Sequence, residues 1–207
     1  MISKPTTTRR GILALVSAYL IAPLTAPVSF AADALGKVSD ITGAAFAALG
    51  GKQRGLAMSS TVFLGDQVAT SVDGRVSLLL AGKTTLRLGG STKVTLDNFI
   101  ANSGGVLTLG QGAIVFEGAA NAFPKGVRIK SPYALIAVRG TKFYAGRLGP
   151  AFSVFVESGS VRVRGGGKSV VLRRGEGTDI AKRGDAPGPV KKWGPPKIKK
   201  FKGLFEE

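Results

Sequence analysis

Residues 127–145, VRIKSPYALIAVRGTKFYA, hold the pattern that decides the fold of this chain. Three short runs rich in Val, Ile, Ala and Phe, at 127–130, 134–138 and 142–145, are interrupted by Ser131-Pro132 and Arg139-Gly140. Proline and glycine at such points favour turns, and no apolar period of 3.6 residues runs through the stretch. These residues therefore predict three consecutive β-strands joined by short turns.

The same pattern continues in both directions, from Lys37 to Ile180. Alternation is plain at Val161–Arg164, where each Val is followed by Arg, and such a period of two predicts one buried and one solvent-facing side. Ala44–Leu49 fits a short helix or a strand. Further strands are predicted at Gln67–Thr70, Arg75–Leu80, Thr84–Leu88, Lys93–Asp97, Val106–Leu109, Ala113–Phe116, Phe152–Val156, Val161–Arg164, Val170–Arg173 and Gly177–Ile180. The chain is therefore predicted to be all-β, as a sandwich or, as we favour, a two-layered, solenoid-like stack.

Residues 1–31 have the composition of an export leader. Lys4, Arg9 and Arg10 precede an apolar run from residue 12 to residue 22, and Ser29-Phe30-Ala31 offers a small-x-small cleavage site. The run is about half the roughly 20 apolar residues of a membrane-spanning helix. We expect a cleaved signal peptide, of general secretory or twin-arginine type, and a mature protein in the periplasm or outside the cell.

The last 26 residues, 182–207, differ from the rest in being rich in proline and lysine. Because proline interrupts helices and central strands, we expect an extended basic tail that follows a β domain at 32–181. The tail is interpreted either as a solvated end or as a contact for an anionic membrane surface or glycan. The residues proposed for such a contact are Trp193, Lys197, Lys199, Lys200 and Lys202.

The residue types that carry most enzyme chemistry are missing. The chain contains no cysteine and no histidine, so the usual thiol nucleophile, the commonest general base and the commonest metal ligand are absent. Several acids lie beside glycines, as at Gly65-Asp66 and Asp73-Gly74, where turns favour them. We therefore expect a non-enzymatic protein with no cofactor and no metal.

The order of motifs resembles the periplasmic FecR domain over roughly Lys37 to Ile180. Leu64-Gly65-Asp66-Gln67-Val68-Ala69-Thr70 is similar to its Gly-Asp-x-Val-x-Thr signature. Ser131-Pro132-Tyr133-Ala134 with Arg139-Gly140-Thr141-Lys142-Phe143 is similar to its central Pro-x-Ala and Arg-Gly-Thr-x-Phe elements. Residues 154–161 fit its Val-x-Val-x-x-Gly-x-Val hairpin.

The resemblance implies a FecR-type fold, and its known members relay signals to the cell interior. This chain begins with a predicted leader where those members carry a cytoplasmic anti-sigma segment. We therefore expect a protein-binding or scaffolding module with a protein partner in the envelope. Signal relay for iron (ferric-siderophore) transport and binding of a polyanion through the basic tail are the alternatives. The net charge of +17 favours anionic partners, but export argues against nucleic acid in vivo.

Arg139-Gly140-Thr141 is the first candidate for an interaction site. The planar guanidinium of Arg139 suits bidentate binding of a carboxylate or phosphate. The structural interpretation, which we favour, is that Arg139 caps strand ends or pairs with a carboxylate such as Asp66.

Overall fold

A computed structural model describes residues 33–100, 103–119 and 124–206, together with Met1. The chain divides into two units, Met1–Ala31 and Ala32–Glu207, and every described strand and helix belongs to the second unit. The predicted signal peptide lies outside the described residues, apart from Met1.

The second unit is built from two sheets of nine strands each. Sheet A contains β1 (Ala34–Thr42), β4 (Thr61–Phe63), β6 (Arg75–Leu80), β7 (Thr84–Leu88), β10 (Ala113–Gly118), β13 (Thr141–Leu148), β14 (Ala151–Ser158), β17 (Glu176–Ile180) and β18 (Lys191–Lys192). Sheet B contains β2 (Ala45–Leu49), β3 (Lys52–Gly55), β5 (Gln67–Thr70), β8 (Lys93–Ile100), β9 (Gly104–Gln111), β11 (Val127–Lys130), β12 (Leu135–Val138), β15 (Ser160–Gly165) and β16 (Lys168–Arg173). One helix, α1 (Pro195–Lys202), follows the last strand.

Successive strands or strand pairs along the chain belong alternately to sheet A and sheet B. It forms the β6–β7 hairpin in sheet A, β8–β9 in sheet B, the β13–β14 hairpin in sheet A and β15–β16 in sheet B. Paired strands run antiparallel except for β9 and β11, which are parallel. The spatial order along sheet A is β18-β17-β14-β13-β10-β7-β6-β1-β4, and along sheet B β16-β15-β12-β11-β9-β8-β5-β2-β3. The all-β, two-layered arrangement predicted from the sequence is confirmed.

Alternating side chains from the two sheets meet in one apolar core. Leu78 and Leu86 of sheet A and Leu107 and Ile136 of sheet B are fully buried in the same cluster. Each such side chain contributes about 1.5–3 kcal/mol when it is fully buried. Since sheet side chains alternate, the residues next to these point away from the core and form an outer face on each sheet.

The predicted strands are present, four of them with the predicted bounds: Gln67–Thr70, Arg75–Leu80, Thr84–Leu88 and Val127–Lys130. The segment Ala44–Leu49, which fitted a helix or a strand, forms strand β2 from Ala45 to Leu49. The short strands β3 and β4 were not predicted because Lys52–Gly55 and Thr61–Phe63 lack a long apolar alternation.

The segment after Ile180 corrects a prediction. It is not an extended tail, because it adds strand β18 to sheet A and then forms α1. Pro195 and Pro196 begin this helix, since proline in the first turn loses no intrahelical hydrogen bond. No helix in the described part of the chain is long and apolar enough to cross a membrane.

Candidate functional site

The C-terminal clasp, as we call residues 191–206, covers part of the outer face of sheet A. Phe201 is fully buried and packs in a cluster with Val115, Tyr144 and Phe155 of sheet A. The ring centres of Phe201 and Tyr144 are 5.9 Å apart. An aromatic pair at this distance adds stabilisation beyond its buried area. The clasp is therefore held first by apolar contact.

Trp193 anchors the start of the clasp. Its indole stacks on Phe155 with ring centres 5.2 Å apart and planes 16° apart. It also lies directly over Gly177, where an added Cβ would be 2.4 Å from the indole ring. Only glycine leaves room for this approach. The Trp193 amide donates a hydrogen bond to the carbonyl of Gly175 over 3.1 Å.

Ion pairs reinforce the docked clasp. The Lys197 ammonium donates to a carboxylate oxygen of Asp179 at 2.6 Å and lies 3.9 Å from the ring centre of Trp193. The other oxygen of Asp179 accepts from the Ser153 hydroxyl, also at 2.6 Å. The Lys197 side chain therefore contacts both Asp179 of sheet A and the Trp193 ring within the clasp.

Glu157 is the centre of a second charged cluster. Its carboxylate pairs with Lys202 of the clasp and with Lys142 of β13, the latter at 3.3 Å, and it accepts a hydrogen bond from the Tyr144 hydroxyl. Lys142 also pairs with Glu117 at 3.3 Å. The cluster therefore joins the clasp to β10, β13 and β14.

The charged cluster shifts three pKa values. Burial is the largest influence on Glu157 and favours its neutral form, but Lys202 and Lys142 together outweigh it and lower the pKa. Burial also opposes the charge of Lys142, yet Glu117 and Glu157 together raise its pKa. The pKa of Tyr144 is raised, first by burial and then by Glu157. The phenol of Tyr144 thus stays protonated and acts as a donor.

These contacts revise the tail site expected from the sequence. Trp193, Lys197 and Lys202 are engaged with sheet A, so their rings and charges serve the docking of the clasp. Lys199 and Lys200 remain exposed. The apolar spacing of Ile198, Phe201, Leu204 and Phe205 was the sequence signal for a packed helical turn, since it follows a period of three to four residues. Binding of a polyanion by the tail stays a prediction, now for Lys199 and Lys200.

Arg139-Gly140 forms the turn between β12 and β13, and Thr141 begins β13. Gly140 has a φ of +62°, a left-handed conformation that favours glycine. The buried Thr141 hydroxyl donates to the carbonyl of Ser160 at 2.9 Å, which ties the turn to β15. Arg139 is exposed and lines an open groove on sheet B. Gly140 and Thr141 are therefore structural, and the side chain of Arg139 faces solvent.

Asp66 is paired, but not with Arg139. The carboxylate of Asp66 is fully buried and accepts two hydrogen bonds from Arg54, at 2.9 and 2.5 Å, and one from the Phe63 amide at 2.7 Å. Arg54 lies on β3, which the sequence did not predict. Asp66 therefore fixes the β3–β4 region and does not belong to the Arg139 site.

The acids of residues 33–100, 103–119 and 124–206 do not gather into a group of three or more that could hold a metal ion.

Comparison with known proteins finds a family match. Residues 66–162 match the family described as FecR protein, as the motifs of the sequence predicted. The match includes Asp66 and Arg139-Gly140-Thr141, and it ends before the clasp. No curated protein matches the chain.

Two crystal structures of a proposed anti-sigma factor from Parabacteroides distasonis, at 2.50 and 1.65 Å resolution, have a similar fold. Their TM-scores are 0.54 and 0.55, each with 14% sequence identity, and each match covers 64% of this chain. The match spans 62% of those proteins, so the chain corresponds to less than two thirds of their length. At this identity the likeness concerns the fold alone.

Proposed function

We propose that the chain is a non-enzymatic, protein-binding module of the bacterial cell envelope that takes part in relaying a regulatory signal. The observation that carries the proposal is the match of residues 66–162 to the FecR family. The proteins of similar fold are described as an anti-sigma factor, and an anti-sigma factor is by definition a regulator of another protein. A fold alone does not assign a function, so the proposal depends on finding the partner.

The leader composition of residues 1–31 is the reason for assigning the mature chain to the periplasm or the outside of the cell. Cell fractionation checks this assignment, and a chain recovered only from the cytoplasm would contradict it.

The partner is sought by immobilising the chain and passing envelope extract of its own host over it at about 0.15 M salt. An unrelated basic protein of equal net charge is the matched control, because it retains polyanions without the FecR fold. We expect one protein to be retained by the chain and not by the control, and to bind again when purified and titrated. Retention of the same proteins by both columns, or of none at several salt concentrations, would contradict the proposal.

A narrower form of the proposal is relay for iron (ferric-siderophore) transport, which the family name alone supports. It predicts measurable affinity for the signalling domain of an iron transporter from the same host. A flat titration curve would exclude the iron role and leave the protein-binding role standing.

A further inference from the structure

The outer face of sheet B carries a group of exposed cations. Arg128 and Lys130 lie on β11, and Arg162 and Arg164 lie on β15. Each cation alternates with a side chain of the core, since Val127, Ile129, Val161 and Val163 are buried. The period of two therefore directs all four charges outward.

Strand register arranges these cations around a short apolar strip. Ala137 of β12 lies opposite both Arg128 and Arg162, and Leu135 lies opposite both Lys130 and Arg164. Neighbouring strands are about 4.8 Å apart, so the backbones of Arg128 and Arg162, on either side of Ala137, are roughly 10 Å apart. The same separation holds for Lys130 and Arg164, on either side of Leu135. Along one strand, residues two apart are separated by about 6.6–7 Å.

Two of these cations, Arg128 and Arg162, border an open groove of about 480 Å³. Its charged lining residues are Lys125, Arg128, Arg139 and Arg162, and no described residue of the lining is acidic. Within the part of the chain that the structure describes, none of these four side chains has an ion-pair partner. Like charges thus lie together without compensation, an arrangement that an anionic partner would stabilise.

The chemistry of the groove favours protein over nucleic acid and over a membrane surface. Arginine, the main cation here, binds carboxylates through a planar fork and is enriched in protein interfaces. The groove offers Ala137 and Val171 as apolar contacts, but its described lining has no aromatic ring on which nucleic-acid bases could stack. It also lacks the protruding aromatic residues that enter membrane interfaces.

We infer that this basic face of sheet B binds an extended protein segment that carries acidic side chains. Side chains on one side of an extended segment recur every 6.6–7 Å or so, which matches the spacing of Arg128 to Lys130 and of Arg162 to Arg164. The inference rests on the proposed protein-binding function and names its surface and the chemistry of its partner.

The test measures binding of fluorescent poly-L-glutamate to the purified chain, with heparin and phosphatidylglycerol vesicles as parallel probes. The variant R128E/R162E reverses two charges of the groove. The matched control K199E/K200E makes the same change in net charge on the clasp, away from sheet B. We expect R128E/R162E to weaken poly-L-glutamate binding by about tenfold or more and the control to change it by about threefold or less.

Equal weakening by both variants would overturn the inference, because net charge alone would then explain binding. Binding of heparin or vesicles without binding of poly-L-glutamate would also overturn it. If R128E/R162E loses its native Trp193 fluorescence, R128Q/R162Q replaces it, with K199Q/K200Q as its control. If R128E/R162E still binds the captured envelope partner normally, the protein-binding function stands and this face is not its site.

Discussion

The outer faces of the two sheets differ in what covers them. On sheet A, aromatic side chains such as Tyr144 and Phe155 are covered by Trp193 and Phe201 of the clasp. On sheet B, the cations of β11 and β15 remain exposed. The difference shows that basic residues serve two purposes here. Lys197 and Lys202 of the clasp pair with acids of sheet A, whereas the cations of β11 and β15 have no ion-pair partner among the residues described.

The two faces also differ in how they relate to the family-matched region. Arg128, Arg139 and Arg162 lie within residues 66–162, whereas the clasp lies after them. The clasp covers aromatic rings of sheet A that would otherwise be exposed. Exposed apolar faces of this kind favour association with other molecules, so the clasp removes such a surface from this part of sheet A.

The largest expected effect comes from removing the central contact of the clasp. Phe201→Ala should weaken clasp docking by about 3 kcal/mol, because a fully buried phenylalanine loses its contacts and leaves a cavity. Trp193 is the only tryptophan of the chain, so its fluorescence reports the clasp directly. We expect a red shift of its emission and faster proteolysis after Ile180.

Phe46→Ala is the matched control for this substitution. Phe46 lies on sheet B and is 39% exposed, so its loss should cost less than about 1 kcal/mol and leave Trp193 emission unchanged. Similar losses of stability in Phe201→Ala and Phe46→Ala would show that the buried Phe201 contributes no more than the exposed Phe46.

A smaller effect is expected where the clasp approaches the backbone. In Gly177→Ala the new Cβ would be 2.4 Å from the Trp193 indole, and shifting the ring should cost about 1–3 kcal/mol. Denaturant unfolding with fluorescence detection measures the free energy of unfolding of this variant. The control is Gly55→Ala, because no atom lies within 4 Å of the added Cβ there. Equal stability of the two variants would mean that Trp193 is not seated on Gly177.

The smallest effect is the dependence of clasp docking on pH. The pKa of Glu157 is lower in the folded chain than its ordinary 4.5, so its contribution is present above that value and is lost as pH falls through the folded pKa. The pKa of Lys142 is raised above 10.5, so its contribution is present below 10.5 and is lost as pH rises through the folded pKa. Because only Glu157 of these two groups pairs with the clasp, through Lys202, Trp193 emission should shift at the acid end of the range.

Glu157→Gln should reduce the acid shift, because it removes the carboxylate that Lys202, Lys142 and Tyr144 face. Glu117→Gln is the control, since Glu117 pairs with Lys142 and makes no ion pair with the described clasp. If Trp193 emission shifts equally at acid pH in the wild type and in Glu157→Gln, a group other than Glu157 is responsible for the shift.

Much of the fold could be predicted because apolar and polar residues alternate visibly within the sequence of a single strand. Glycine and proline marked the ends of Thr84–Leu88 and Val127–Lys130, and the alternation of Val and Arg in β15 predicted which side chains face the core. The clasp could not be predicted in the same way. Its prolines suggested an extended tail, and only contact with sheet A explains why α1 forms from eight residues that would be marginal as an isolated helix.

The sequence by itself determined that this chain is all-β, that it carries FecR motifs and that its strands alternate between apolar and polar side chains. Those properties depend on neighbours along the chain. The tertiary structure alone decided which charges are paired, because Asp66 meets Arg54 and Glu157 meets Lys202 only through the folding of the chain. It likewise decided that β11 and β15 bring their arginines to one uncovered face, since register between distant strands is set by packing of the shared core.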